Sequence, residues 1–145
     1  LHARRTDPRI AGWLSAAEAP DAAGQAQLRL IRRSAARAAK VPVALAQEIA
    51  RVTSVSQGVS AAARARDDVA AFLPVLAEVV RLKRAEAQCL ASGGDPYDAL
   101  LDDYEPGMTA ADVAAMFAAL RPRLVALRSA VLGAPEPAGL ARDFP

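Results

Sequence analysis

At 145 residues the chain has the length of one domain and is long enough to bury a core. Apolar residues make up 53%, but 37 residues are alanine and only six are aromatic, so the composition excludes a sheet protein and predicts an all-α fold: alanine favours helix, and the β-branched and aromatic residues that sheets prefer are scarce. The net charge of +2 comes from 16 arginines and 2 lysines dispersed among 16 acidic residues, with no interleaved aromatics, which argues against a nucleic-acid surface and for solvated arginines on helix faces.

Asp7-Pro8 reads as an N-cap followed by proline at the first helical position, and Ile10, Trp13, Leu14 and Ala17 recur at helical spacing up to Pro20. Asp21 caps a second helix to about Lys40, with Leu28, Ile31, Ala35 and Ala38 on one stripe. Val41-Pro42 ends it, and a third helix follows from about Pro42 to Arg66, marked by Leu45, Ile49, Val52 and Val59. Gly58 in its middle suggests a close approach by a neighbour.

Asp67-Asp68 offers another N-cap, but Pro74 places the expected start of the next helix near itself, with a core stripe of Leu76, Val79, Val80, the Lys83 stem and Leu90 before an end at about Ala91. Residues 92–96 form a loop, and a short helix runs from Tyr97 to about Asp103. Thr109 and Asp112 approximate a capping box for the last helix, whose stripe is Val113, Met116, Phe117, Leu120, Leu124, Leu127 and Val131. Pro122 implies a kink or break in it, and Gly133 a stop. The expected organisation is an antiparallel, bundle-like array of about five or six helices over 1–133, then a Pro/Gly-rich linker at 134–145.

Cys89 stands alone, which excludes an internal disulfide, fits a reducing compartment and points to an inert, partly buried thiol. Apolar runs are short and broken by arginine, so neither a signal peptide nor a membrane span is expected, and the cytoplasm is the default location. Leu1 in place of an initiator methionine suggests a fragment or processed form.

The run Tyr97-Asp98-Ala99-Leu100-Leu101-Asp102-Asp103-Tyr104-Glu105-Pro106-Gly107-Met108-Thr109 is the most distinctive string in the chain. It resembles the "YDALLDxYEPGMT" segment of the carboxypeptidase Taq family. Other stretches follow in the same order. Arg32-Arg33, Arg37-Ala38, Val41-Pro42 and Leu45 resemble "IRRxYxRAxxVPxxL"; Gln57, Arg64, Asp68, Phe72 and Pro74 resemble "QxxWxxARxxxDFxxFxP"; Leu76, Val79, Val80, Leu82 and Lys83 resemble "LxxVVxLK". Ala35, Ser60 and Val69 stand where the family carries aromatics, implying lost interior packing on the order of several kcal/mol.

The resemblance implies the amino-terminal helical part of a larger, mainly helical metallocarboxypeptidase, in which zinc or a similar divalent metal activates water to remove carboxy-terminal residues from peptides. It also implies a homodimer, with this part forming a wall or cover of the substrate groove. A site of that kind needs two histidines one helical turn apart, a third ligand and a glutamate. The chain has only His2, near an end expected to fray, so no catalytic or metal-binding residue is assigned and the chain alone is expected to be inactive.

Asp98, Asp102, Asp103 and Glu105 are read as caps and hydrogen-bond acceptors in preference to a cation site. Tyr97 and Tyr104, seven apart, are expected as buried anchors on one helix face. Tyr97, Tyr104 and Glu105 are the candidate substrate-groove contacts, and Trp13 is expected in a core or an interface. Wide apolar arcs at Leu28, Leu30 and Ile31, and at Leu73, Val75, Leu76, Val79, Val80 and Leu82, predict an apolar face that a larger body would cover. The alternative is a non-catalytic helical protein-interaction module.

Overall fold

A computed structural model describes residues 2–135; the expected linker lies, beyond Pro135, outside the described residues. Among the described residues there are seven helices and no strand: α1 His2–Arg5, α2 Pro8–Ala16, α3 Ala22–Lys40, α4 Val43–Ala65, α5 Val69–Ala91, α6 Pro96–Leu101 and α7 Ala110–Gly133. Short polar side chains start most of them by accepting hydrogen bonds from otherwise unpaired first-turn N–H groups. Asp7 accepts from Arg9 N, Asp21 from Gly24 N, Asp68 from Ala71 N, and Asp95 from Tyr97 N and Asp98 N. Thr109 and Asp112 complete a reciprocal capping box at α7.

α4 and α5, 23 residues each and joined by residues 66–68, pack as a helical hairpin, and α6 lies against α5. α3 touches α1, α2 and α5. The buried apolar residues are Val41, Val52, Ala63, Leu82, Ala87 and Leu90. Two of these six are alanine, so the core is shallower than the chain length leads one to expect. The whole chain exposes 11226 Å², against about 7,100 Å² for a compact monomer of this mass. The eleven residues outside the described span would account for at most about 1,700 Å² of the excess even if fully extended.

Several expectations are corrected. α5 starts at Val69 and not near Pro74, because the Asp68 carboxylate caps it and proline sits early enough to orphan only the Ala70 carbonyl on an exposed side. Its buried stripe is Leu82, Ala87 and Leu90, while Leu76 and Val80 are exposed. α6 stops at Leu101, where tight turns take over: Tyr104 N and Glu105 N both donate to Leu101 O, at 2.9 and 2.8 Å. No atom lies within 4 Å of a side chain built at Gly58, so no neighbour approaches there. Pro122 sits inside an unbroken α7. Ser60 and Val69 are exposed and Ala35 half-buried, so their small size costs no interior packing among the described residues.

α7 departs furthest. Of its expected stripe only Val113 is half-buried; Met116, Phe117, Leu120, Leu124, Leu127 and Val131 are exposed, because α6 is the main element α7 touches. Apolar side chains lie on every face of it, the pattern of a helix enclosed by other elements. Leu30, Ile31 and Leu73 are exposed as well.

Leu82 of α5, 3% exposed, is among the most buried side chains. Leu82→Ala is expected to lower stability by about 2–5 kcal/mol, and Leu30→Ala, at an exposed position, by no more than about 0.5 kcal/mol. Urea titrations followed by circular dichroism check both.

Candidate functional site

α3 carries four cations that the shallow core makes important. Helix C-termini leave carbonyls unpaired, and cationic side chains satisfy them with favourable charge. Arg32 Nη2 donates to Leu14 O at 2.7 Å and to Ala17 O at 3.3 Å, closing the end of α2. Lys40 Nζ donates to Leu90 O at 3.1 Å near the end of α5. Arg37 Nη2 donates to Ala99 O at 3.0 Å, and Arg33 Nη2 to Asp102 O, both at the end of α6. Arg33, Arg37 and Lys40 are spaced i, i+4, i+7, one stripe of a helix.

Two of these cations also converge on the Asp102 carboxylate. Its Oδ2 accepts from Arg33 Nη2 at 2.7 Å and from Arg37 Nη1 at 3.2 Å, and its Oδ1 accepts from Gly107 N at 3.0 Å. Arg37 Nε reaches Asp103 Oδ1 at 2.8 Å. Gly107 holds φ +83°, a left-handed backbone that a side chain would strain, and so turns its N–H back towards Asp102. Asp98 Oδ1 accepts from Ala110 N at 2.7 Å, tying α6 to the first turn of α7. Asp98, Asp102 and Asp103 are therefore caps and ion-pair acceptors, as the sequence suggests, while Glu105 is solvated. The arginines that meet them are not the solvated ones expected; composition could not reveal those partners, 69 and 65 residues away.

Of the three candidate groove residues, Tyr104 and Glu105 lie in the turn that Asp102 closes, and Tyr97 in the first turn of α6. Tyr97 is 65% exposed and Tyr104 83% exposed, so neither is the buried anchor expected. They also do not share a helix face, since α6 ends before Tyr104. Glu105 is exposed in the turn that Asp102 braces. Trp13 is exposed too, with the Arg9 guanidinium 5.4 Å from its ring centre, a cation–π contact.

His2 is not frayed. It belongs to α1 and its Nε2 lies 3.1 Å from Val41 O, which can only accept, so Nε2 carries the proton. A cleft of about 480 Å³ opens beside it, with Leu30, Ile49 and Leu90 on its apolar side and Arg5, Arg33 and Arg37 on its polar side. Among the described residues no group of three or more His, Cys, Asp or Glu side chains comes together to hold a metal ion. This donor set does not fit the divalent metal that the resemblance implies, and no chemical step is routed through one here.

The Arg33 hydrogen bond, helped by the Gly107 N–H, holds the Asp102 carboxyl below the ordinary aspartate range. A lowered folded-state value adds stability above the unfolded value, and that stability is lost as pH falls through the folded one. The stability gap between the parent and Asp102→Asn is thus expected to be full at neutral pH and to close below about pH 4. Urea midpoints for both chains across that range measure it.

Comparison with known proteins follows the same lines. Residues 1–144 match the family model described as carboxypeptidase Taq (M32) metallopeptidase. Thermostable carboxypeptidase 1 of Thermus thermophilus is 37% identical over an alignment taking in 100% of this chain and 32% of that protein. The solved structure of Pyrococcus furiosus carboxypeptidase, described as apo-Mg, superposes with a TM-score of 0.78 at 29% identity, covering 91% of this chain and 27% of that one. Trypanosoma cruzi metallocarboxypeptidase 1 superposes with a TM-score of 0.72 at 31% identity, covering 94% and 30%. The chain thus spans about a third of the length of these relatives. With this motif order, helical architecture and full-length match, the chain belongs to the carboxypeptidase Taq metallopeptidase family.

Proposed function

We propose that the chain is the amino-terminal helical part of a larger metal-dependent carboxypeptidase that removes carboxy-terminal residues from peptides. The observation that carries this reading is α7, apolar on every face and uncovered, in a chain that spans 32% of its Thermus thermophilus relative. Burying those side chains takes a body the described residues do not supply. The chain's part is to form a wall or cover of the substrate groove, with Tyr97 presented to peptide from the first turn of α6 and Tyr104 and Glu105 from the braced turn after it. Exposed phenols suit a peptide backbone and its side chains, since each ring offers apolar surface and a hydroxyl. The divalent metal, zinc or a similar ion, belongs to residues elsewhere in the larger protein. A homodimer located in the cytoplasm completes the proposal, as the family resemblance implies.

A second reading, a non-catalytic helical interaction module, draws on the missing donor set. The two readings part on one experiment. The gene is read for an H-E-x-x-H sequence downstream, and both the 145-residue chain and the full-length product are assayed for release of carboxy-terminal amino acids from short peptides. Turnover by the full-length product alone is expected. Absence of the motif, or turnover with stoichiometric zinc in the 145-residue chain, would sink the proposal.

If the full-length product is active, Tyr104→Ala is expected to raise KM about tenfold, the loss of roughly one aromatic contact and its hydrogen bond, with folding unchanged at so exposed a position. Initial-rate kinetics on a short peptide check this.

A further inference from the structure

We infer that Asp102 is a positioning residue: it fixes the Tyr104–Glu105 turn and the direction of α7 relative to α3, and thereby the affinity of the groove wall for peptide. The part concerning peptide rests on the function proposed above. Little else holds this region. α7 has almost no buried surface, and the turn at 102–109 is exposed apart from Asp102 and Met108, so apolar packing cannot set its orientation. What remains is polar, and Asp102 is the side chain that bonds both α3 and the far end of the turn. One oxygen of Asp102 faces α3 through Arg33 and Arg37; the other holds Gly107 N across the turn. Tyr104, Glu105 and Pro106 lie inside the loop that this second bond closes. Asp98 then passes the constraint to α7 by accepting from Ala110 N.

Charge and shape are both needed at this position. Both Arg33 and Arg37 supply N–H donors, and an aspartate is acceptor-only when ionised. Asn at this position keeps one oxygen for Gly107 but turns an NH2 group towards two guanidinium groups, so the carboxylate's own bonds to α3 are lost while the side-chain shape and the arginine bonds to Ala99 O, Asp102 O and Asp103 are kept. Arg37→Gln removes one guanidinium and leaves the carboxylate and the Gly107 bond in place.

The test has two arms. In the 145-residue chain with Cys89→Ser, nitroxide labels are attached through Ala36→Cys on α3 and Ser129→Cys on α7, both exposed, and the distance distribution is measured by pulsed electron resonance. The parent is expected to give one narrow distance, and Asp102→Asn a shifted or clearly broadened one at equal helix content. If Asp102→Asn does not fold by circular dichroism, Arg37→Gln is read in its place. An unchanged distribution in a folded variant overturns the positioning role. In the full-length product, Asp102→Asn is expected to raise KM about tenfold while kcat stays within about twofold. A fall in kcat with KM unchanged, or no change in either, overturns the link to peptide binding. A parent that releases no amino acid defeats the proposed function instead, and the distance arm still decides whether Asp102 positions α7.

Discussion

α3 holds its neighbours by their carbonyls. In most helical folds, interdigitating side chains decide which helices touch, but alanine offers little to interdigitate, and the buried core among the described residues is six residues. Unpaired carbonyls at the ends of α2, α5 and α6 are a constraint every helix shares, and Arg32, Lys40, Arg37 and Arg33 answer it from one helix. Because each of these bonds joins a charged donor to a partial negative charge, each resists loss more than a neutral hydrogen bond does. Through this set α3 reaches the ends of α2, α5 and α6, and two of its members meet on one carboxylate at Asp102.

The same constraint accounts for the odd combination of order and exposure around α6. A segment whose side chains are largely in water needs either neighbours or internal bonds to keep a shape. The 102–109 turn has the second: Asp102 spans it, Gly107 supplies the left-handed backbone that lets it close, and Asp98 leads it into α7. Tyr104 and Glu105 can therefore stay exposed yet placed, which suits residues that meet a ligand or a larger body better than it suits core anchors.

How far the sequence carries can be followed residue by residue. Asp7, Asp21, Asp68 and Thr109 each announce a helix start because a cap is a local device: acceptor and N–H are two or three residues apart, and no distant element is needed. Motif order from Arg32 to Thr109 likewise pointed to the family that residues 1–144 match. The reading failed where a partner lies far along the chain. Val80 and Leu76 look like core by periodicity, but a periodic stripe says only that one face is apolar, and which face is covered depends on what packs there. Tyr97 and Tyr104 looked like anchors for the same reason. Pro74 misled in the opposite direction, since a breaker near a helix start costs only one hydrogen bond when a cap precedes it.

The sequence by itself determined the all-helical class, most helix starts and the family, because alanine content, short-range caps and ordered motifs are all properties of neighbouring residues. Only the tertiary structure decided that His2 meets Val41 O, 39 residues away, that Arg33 and Arg37 share Asp102, and that α7 is left uncovered. The physical reason is that an arginine looks the same in sequence whether it faces water or the end of another helix. The choice is made when helices dock, by which carbonyls and carboxylates come within reach of its fork.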